Sequence, residues 1–242
     1  MRSPSSRALT IAATATLTAL TGGAALLGYL AWNPRAPRLK RGRIRIACVG
    51  DSNTYGAGVA TDRRSRHAYP AQLQDLLGER YQVLNYGLSG RTLLDSGNWP
   101  YSCERFDHLS RNVGARAIVL MLGTNDAKPC NWDPERFERE LTARIDAYRA
   151  LPSAPTVLLA TPPAAYEPNP YDIDADVVTR QVVPTVRRVA EATSTPLVDV
   201  HTVTSVPELK PKDGIHPNAA GLGAIAAAVR GCLVAAGAVA KD

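Results

Sequence analysis

Short apolar runs alternate with amphipathic segments from residue 44 onward, and this alternation constrains the fold more than any other feature of the chain. Five runs predict strands, at residues 44–50, 81–86, 117–122, 156–160 and 197–200. The segments between them predict helices at residues 68–78, 104–112, 134–150, 176–192 and 217–234, with a kink or restart at Pro184. Strands joined through helices form parallel sheets that are covered on both faces. We therefore predict an α/β domain with a five-stranded, mainly parallel sheet.

The first 43 residues differ from the rest of the chain in charge. They hold seven Lys or Arg and no Asp or Glu, whereas residues 44–242 hold 21 basic and 22 acidic side chains. The net charge of +6 therefore belongs to the N-terminal part and not to the domain. A nucleic-acid-binding domain usually carries its basic excess itself, so we expect no nucleic-acid partner. We predict an N-terminal segment with a basic linker at residues 1–43 and a folded domain at residues 44–242.

Residues 8–33 form an uncharged stretch that is long enough to cross a bilayer as a helix. An uncleaved membrane anchor would use the whole stretch, whereas cleavage near Gly23 would leave apolar residues 26–32 on the mature protein. A soluble helix is the third interpretation. We favour an extracytoplasmic domain that is membrane-anchored or secreted. The positive-inside rule, applied to the basic residues after the stretch, instead favours the opposite orientation.

The four cysteines divide into two pairs. Cys48 and Cys232 lie in apolar segments and are expected to be buried. Cys103 and Cys130 lie in loop-like sequence, where they could form a disulfide in an oxidising compartment or remain free thiols; we expect the disulfide. The sequence has no CxxC motif or His/Cys cluster, so we expect no metal site.

Polar residues follow the first and third predicted strands and precede the last predicted helix. Ser52 lies in a tight turn after the first strand, although the G-x-S-x-G pattern of a nucleophile elbow is absent. Asn125 follows the third strand, and Asp213 and His216 precede the last helix. Each motif alone is compatible with ordinary turn chemistry. Together they are more informative, because functional loops of such sheets gather at the carboxyl ends of the strands.

These residue types form a nucleophile, a base and an orienting group. Serine is a weak nucleophile and needs an adjacent base, which His216 would supply. The three-residue spacing allows the Asp213 carboxylate to fold back onto the imidazole and fix its tautomer. The Asn125 amide and the Ser52 backbone N–H could stabilise a developing oxyanion. This chemistry requires no cofactor.

The motifs GDSNTYG, NYGLSGRT, MLGTND and DGIHP resemble the blocks of the SGNH (GDSL) hydrolase family in their order. The segment that includes LMLGTNDAK is most similar to the arylesterase branch of that family. The resemblance implies a flavodoxin-like three-layer α/β/α sandwich that cleaves carboxylic esters, often short acyl esters of sugars, aryl alcohols or lipids. It also implies that Gly90 and Asn125 contribute to the oxyanion hole. Asn53 stands where the family often has Leu, which bears on substrate preference.

Several aromatic residues flank the motif loops. Tyr55, Trp99 and Trp132 could contact a sugar or an acyl group, although ordinary partial burial explains each of them equally well. Two functions besides hydrolysis stay open for the sequence: acyl transfer to an alcohol by the same triad, and glycan binding without catalysis. The glycine spacing around Ser52 does not match the G-x-G-x-x-G nucleotide-binding fingerprint.

Overall fold

The computed structural model describes residues 34–241, and the chain from Ala36 onward forms one compact unit. The anchor or signal segment predicted within residues 1–33 lies outside the described residues. None of the helices within residues 34–241 has both the length and the apolar character needed to cross a bilayer.

Five parallel strands form one sheet in the order β2-β1-β3-β4-β5. Their bounds are Ile44–Gly50 (β1), Tyr81–Gly87 (β2), Ala117–Met121 (β3), Thr156–Ala160 (β4) and Leu197–Val198 (β5). All five residues of β3 are buried, as expected for a strand covered by helices on both faces. This strand order is that of flavodoxin-like folds, so the predicted fold class is confirmed.

Nine α-helices and three other helical turns connect the strands of residues 34–241. The α-helices are Ser52–Tyr55 (α1), Arg64–His67 (α2), Tyr69–Leu77 (α3), Arg105–Asn112 (α4), Pro134–Arg149 (α5), Ala175–Val177 (α6), Val183–Ala192 (α7), Val200–Thr204 (α8) and Ala219–Ala235 (α9). Short 3₁₀ turns occur at Tyr101–Cys103 and Pro207–Leu209, and a π-helical turn at Val178–Val182 joins α6 to α7.

Alternate residues of the central strands belong to two different hydrophobic cores. Ala47 and Val49 of β1 belong to the core that includes Phe106, Phe137 and Val186 of α4, α5 and α7. Ile46 and Cys48 belong to the opposite core, which includes Leu73 of α3 and Leu222 of α9. Successive side chains of a strand point to opposite faces of the sheet, so the two cores lie on its two sides. The result is a three-layer α/β/α sandwich.

One predicted helix restarts where expected, and one predicted strand is shorter than expected. In the segment predicted as helical at residues 176–192, α6 ends at Val177, the Val183 N–H donates to Val178 O across a π-helical turn, and α7 begins at Val183, so the predicted restart at Pro184 is confirmed. Pro184 then occupies the first turn of α7, where a missing N–H is tolerated. The last strand ends at Val198 rather than Val200, because the Asp199 side chain accepts from Thr202 N–H and starts α8.

The predicted disulfide between Cys103 and Cys130 is wrong for this structure, in which both residues are exposed free thiols. They lie in separate loops, Cys103 in the turn before α4 and Cys130 between β3 and α5. Each sulfur faces its own sequence neighbour: Cys103 Sγ lies 4.0 Å from Ser102 Oγ, and Cys130 Sγ lies 3.6 Å from Asn131 Oδ1. Cys48 is buried and Cys232 is partly buried, in line with the prediction for that pair.

Candidate active site

The turn after β1 presents Ser52 at the start of α1. Asp51 caps this short helix, since its Oδ1 accepts from Asn53 N–H at 2.8 Å. A side chain at Gly50 would collide with Met121 O and Thr54 Oγ1, so the close approach of β1 to β3 requires glycine there. The backbone N–H of Ser52 is at the first helical position, where N–H groups have no acceptor within the helix. The turn therefore directs a hydroxyl and an N–H toward the carboxyl edge of the sheet.

The loop before α9 places a histidine and a carboxylate against Ser52. His216 Nε2 lies 2.9 Å from Ser52 Oγ, across 164 positions of sequence. Asp213 Oδ2 lies 2.7 Å from His216 Nδ1. Asp213 Oδ1 accepts from the backbone N–H groups of Ile215 at 3.0 Å and His216 at 2.8 Å, which fixes the carboxylate. The Ser52 hydroxyl, the His216 imidazole and the Asp213 carboxylate thus form one continuous hydrogen-bonded series, as the sequence led us to expect.

Hydrogen bonds keep the Asp213 carboxylate ionised. Partial burial raises its pKa, but the bonds from the His216 and Ile215 backbone and from the His216 ring outweigh this effect and lower the pKa to about 2. The carboxylate is therefore negative throughout the neutral range, as a partner for an imidazolium must be. The His216 side chain is 10% exposed and the Asp213 side chain 32%, so solvent screens this pair in part, mainly from the carboxylate side.

The two loops expected to stabilise an oxyanion are joined to each other. Gly90, after β2, has φ +82°, a conformation that favours glycine. The Asn125 side chain donates through Nδ2 to Arg91 O at 3.1 Å, which leaves the second amide hydrogen available to another acceptor. Asn131 Nδ2 in turn donates to Asn125 O at 2.8 Å and holds the loop after β3 in place.

A buried carboxyl group at Asp126, which the sequence did not single out, holds the same two loops together. Its two oxygens accept from Leu93 N–H at 3.0 Å and Leu94 N–H at 2.8 Å. Burial raises the pKa of Asp126 to about 7, although these backbone bonds oppose the rise. Asp51 is buried as well, and burial raises its pKa to about 6 against the hydrogen bond from Asn53 N–H.

Tyr171 is a second site residue that no sequence motif indicated. It lies in the loop between β4 and α6, and its hydroxyl is 3.0 Å from Asp213 Oδ2. The signal that could have revealed it is its position after the carboxyl end of a strand, like the other loops of the site. No motif surrounds Tyr171, which follows the end of β4 at a distance of eleven residues.

The three aromatic residues predicted to contact substrate occupy different environments. Tyr55 is 5% exposed and lies beneath the Arg64 guanidinium, whose central carbon is 4.1 Å from the ring centroid, so its predicted role in substrate binding is wrong. Trp132 packs on Phe137 and donates through Nε1 to Gln181 at 2.7 Å. Trp99 is 45% exposed and lies in the loop that follows Gly90, where it remains a candidate. Within residues 34–241 no cluster of three metal-ligating side chains occurs.

A doubly wound sheet that carries a Ser–His–Asp chain at the carboxyl ends of its strands defines the class of a serine hydrolase. Comparison with known proteins makes this more specific. Residues 48–223 match the model of the GDSL-like lipase/acylhydrolase family. The chain belongs to this family, and the resemblance seen in the sequence motifs is confirmed.

Individual relatives are similar to this chain in sequence or in fold. An acetylxylan esterase from Xylanibacter ruminicola is 35% identical over 78% of this chain, but the match spans only 43% of that protein. The solved M. smegmatis aryl esterase is 25% identical with a TM-score of 0.61, over 78% of this chain and all of that one. A carbohydrate acetylesterase from Sinorhizobium meliloti has the same fold, with 19% identity and a TM-score of 0.65, over 80% of this chain and all of that one.

Family membership and these relatives define the domain as a serine ester hydrolase. The sequence-based prediction of a carboxylic ester hydrolase is thereby confirmed at the level of the domain. Neither acyl transfer to an alcohol nor glycan binding without catalysis is needed to explain these similarities.

Proposed function

We propose that this protein removes acetyl and other short acyl groups from carbohydrates through an acyl-enzyme formed on Ser52. The observation that carries the proposal is the continuous hydrogen-bond chain from Ser52 Oγ through the His216 ring to Asp213 Oδ2, with links of 2.9 and 2.7 Å. This arrangement provides a nucleophile, a base in reach of its proton and a carboxylate that orients the base.

In the first half-reaction, Ser52 Oγ attacks the ester carbonyl while His216 Nε2 accepts the hydroxyl proton. The carbonyl oxygen then carries a negative charge, which the N–H groups of Ser52 and Gly90 and the Asn125 amide stabilise. Loss of such a donor typically costs about 3–4 kcal/mol of transition-state stabilisation. His216 returns its proton to the departing alcohol, and the acyl group stays on Ser52.

In the second half-reaction, water replaces the alcohol. His216 takes a proton from the water as it attacks the acyl carbonyl, and the same donors bind the second oxyanion. Collapse of this intermediate returns the proton to Ser52 Oγ and releases the carboxylic acid. Asp213 remains ionised throughout, in agreement with its pKa of about 2.

Two observations support a carbohydrate substrate. The relatives include an acetylxylan esterase and a carbohydrate acetylesterase. In addition, Trp99 is 45% exposed on the loop after Gly90, and an exposed aromatic ring is suited to packing against a sugar ring. The acetyl group is the acyl group named in both relatives, so we expect preference for acetyl over long-chain esters.

The test is acetate release by the full-length protein in detergent from acetylated xylo-oligosaccharides, compared with hydrolysis of acetyl, butyryl and palmitoyl aryl esters. We expect activity on the acetyl compounds, and at least a thousandfold loss of kcat in Ser52→Ala. Ser96→Ala is the matched control, because Ser96 is an exposed serine on another loop. Activity of Ser52→Ala equal to that of the wild type would refute the assignment.

We further propose that the domain is extracytoplasmic and is tethered or exported by the N-terminal segment. The uncharged residues 8–33 and the polymeric nature of acetylated glycans support this location. A disulfide between Cys103 and Cys130 would have supported an oxidising compartment, but both cysteines are free thiols and therefore give no such support. Cell fractionation with protease treatment of intact cells tests the proposal, which fails if the domain is protected and soluble after lysis.

A further inference from the structure

The loop between β4 and α6 packs directly against the turn that carries Asp213 and His216, here called the triad turn. Tyr166 N–H donates to Gly214 O at 2.8 Å. Gly214 has φ +81°, and a Cβ there would lie 2.5 Å from Tyr166 O and 3.0 Å from Pro168 O. Position 214 therefore has to be glycine for the loop to approach this closely. Because Gly214 lies between Asp213 and His216, the loop packs against the middle of the triad turn.

Asn169 gives this loop its shape. Its side-chain oxygen accepts from the backbone N–H groups of Tyr171 at 3.1 Å and Ile173 at 3.3 Å. Its side-chain nitrogen donates to Ile173 O at 2.8 Å. Asparagine side chains commonly replace backbone partners in turns in this way. The backbone of Tyr171 is therefore held in position from within the loop.

The Tyr171 side chain contacts both polar partners of the nucleophile. Its hydroxyl donates to Asp213 Oδ2 at 3.0 Å, the same oxygen that lies 2.7 Å from His216 Nδ1. The edge-to-face contact of its ring with the imidazole has a centroid distance of 4.9 Å and an interplanar angle of 78°. One side chain thus touches the carboxylate through its hydroxyl and the base through its ring.

We propose that Tyr171 is a positioning residue of the triad, which holds the Asp213 carboxylate and the His216 ring in their reactive orientation and lowers the pH at which the base becomes available. The inference rests on the proposed ester hydrolysis. The physical reason is that a second donor on Oδ2 shares the negative charge of the carboxylate. The carboxylate then stabilises the positive charge of an imidazolium less strongly, which favours the neutral ring that acts as the base.

The electrostatic surroundings of Tyr171 are consistent with this arrangement. Partial burial raises its pKa, and so do the hydrogen bond to Asp213 and the negative charge of that carboxylate. The hydroxyl therefore keeps its proton and remains a donor over the working range.

Among residues 34–241, two carboxyl groups besides the Tyr171 hydroxyl interact with His216: Asp213, on its own turn, and Asp51, on the nucleophile turn. Asp51 has a pKa of about 6 and so titrates in the range where the acid limb of the activity profile is expected. Its contribution is present with or without the Tyr171 hydroxyl. A comparison of profiles with and without that hydroxyl therefore isolates the effect of Tyr171.

The experiment compares the pH dependence of kcat/KM for an aryl acetate in the wild type, Tyr171→Phe and Tyr166→Phe. Tyr166 is the matched control, because it lies on the same loop as Tyr171 but its ring packs against Lys210. The distance from Lys210 Nζ to the centroid of the Tyr166 ring is 4.8 Å. In Tyr171→Phe we expect the midpoint of the acid limb to rise by about 0.5–1 pH unit, which is part of the full effect of a hydrogen bond to a charged group, because this bond is exposed and acts on His216 through Asp213. In Tyr166→Phe we expect no shift, and in both variants a melting temperature close to that of the wild type.

A second variant and a second readout complete the test. Tyr171→Leu also removes the ring contact, so we expect the same shift together with a larger fall in kcat than in Tyr171→Phe. An NMR titration of the His216 ring shows the shift without turnover, so it remains informative even if no ester is cleaved. Superimposable titrations and rate profiles for the wild type and Tyr171→Phe would overturn the proposal. Absence of esterase activity, with the NMR shift present, would instead count only against the proposed function.

Discussion

The Asn53 side chain donates through Nδ2 to Thr124 Oγ1 at 3.3 Å and so joins the nucleophile turn to the loop that carries Asn125. Both residues are fully buried, and Asn53 Oδ1 has no hydrogen-bond partner in the structure. A buried amide with one satisfied and one unsatisfied atom contributes little net stability. Its effect is to fix the distance between the nucleophile and an oxyanion donor.

Asn53→Leu is therefore expected to lower kcat several-fold while leaving the free energy of unfolding within about 1 kcal/mol of the wild type, because it also removes an unsatisfied oxygen. Thr124→Val removes the acceptor but leaves the amide buried, and is expected to cost about 1–3 kcal/mol. Urea unfolding and steady-state kinetics of both single variants and the double variant measure these effects. Strictly additive changes in both quantities would show that the two side chains do not act together.

Replacement of Asp213 by Asn tests the orienting role of the carboxylate. An amide at this position can still accept from backbone N–H groups, but it cannot stabilise an imidazolium or fix the tautomer. We expect kcat to fall by about 10³–10⁴-fold with little change in KM, as in other triads. Asp62→Asn, at an exposed position, is the matched control. A loss of less than tenfold would show that His216 does not depend on this carboxylate.

The sequence was sufficient to predict the sheet and the triad because each depends on a short-range pattern. Apolar runs of five to seven residues define β1 and β3, and the spacing of Asp213 and His216 allows them to meet within one turn. The convergence of Ser52 with His216 followed from the general rule that parallel strands end at a common edge.

The features that were missed depend on tertiary contacts with no local signature. Tyr171 reaches Asp213 across 42 positions, through a loop whose path is set by Asn169 and by the missing side chain at Gly214. Tyr55 appeared available to a substrate because it adjoins the nucleophile, but its ring is on the buried side of α1 beneath Arg64. Which side a four-residue helix buries cannot be read from a repeating pattern, since it completes only one turn.

The free thiols of Cys103 and Cys130 lead to a chemical prediction. A thiol reagent is expected to modify these two exposed cysteines rapidly in the folded protein. Cys48 is expected to stay unreactive, because burial raises its pKa to about 12, and the pKa of Cys232 is also raised by burial. All four should react in urea. If the two rapid modifications appear only after reduction, the cysteines form a disulfide in the isolated protein.

Buried Asp51 predicts that stability falls as the pH rises through the weakly acidic range. Its pKa is about 6 in the folded protein, above the value of about 3.9 expected in the unfolded chain. The folded state therefore holds its proton more tightly, and the free energy of unfolding decreases between about pH 4 and pH 6 by at most about 3 kcal/mol from this group. Asp126, with a pKa of about 7, acts in the same direction over a wider range. Asp213, with its lowered pKa of about 2, has the opposite effect and loses its stabilisation only below about pH 4.

Asp51→Asn separates these contributions, because asparagine retains an oxygen that can cap α1 and accept from Asn53 N–H. Urea unfolding of the wild type and the variant at pH 4.5, 6 and 8 measures the difference. We expect the variant to lose less stability than the wild type as the pH rises, so that between pH 4.5 and pH 8 the difference between the two free energies of unfolding changes in favour of the variant by about 2 kcal/mol. The Asp126 contribution is common to both proteins, so the free energy of unfolding of the variant still decreases somewhat with pH. Parallel curves for the two proteins would show that Asp51 is already ionised in the folded state at pH 4.5 and is stabilised by a partner charge or water near Oδ2.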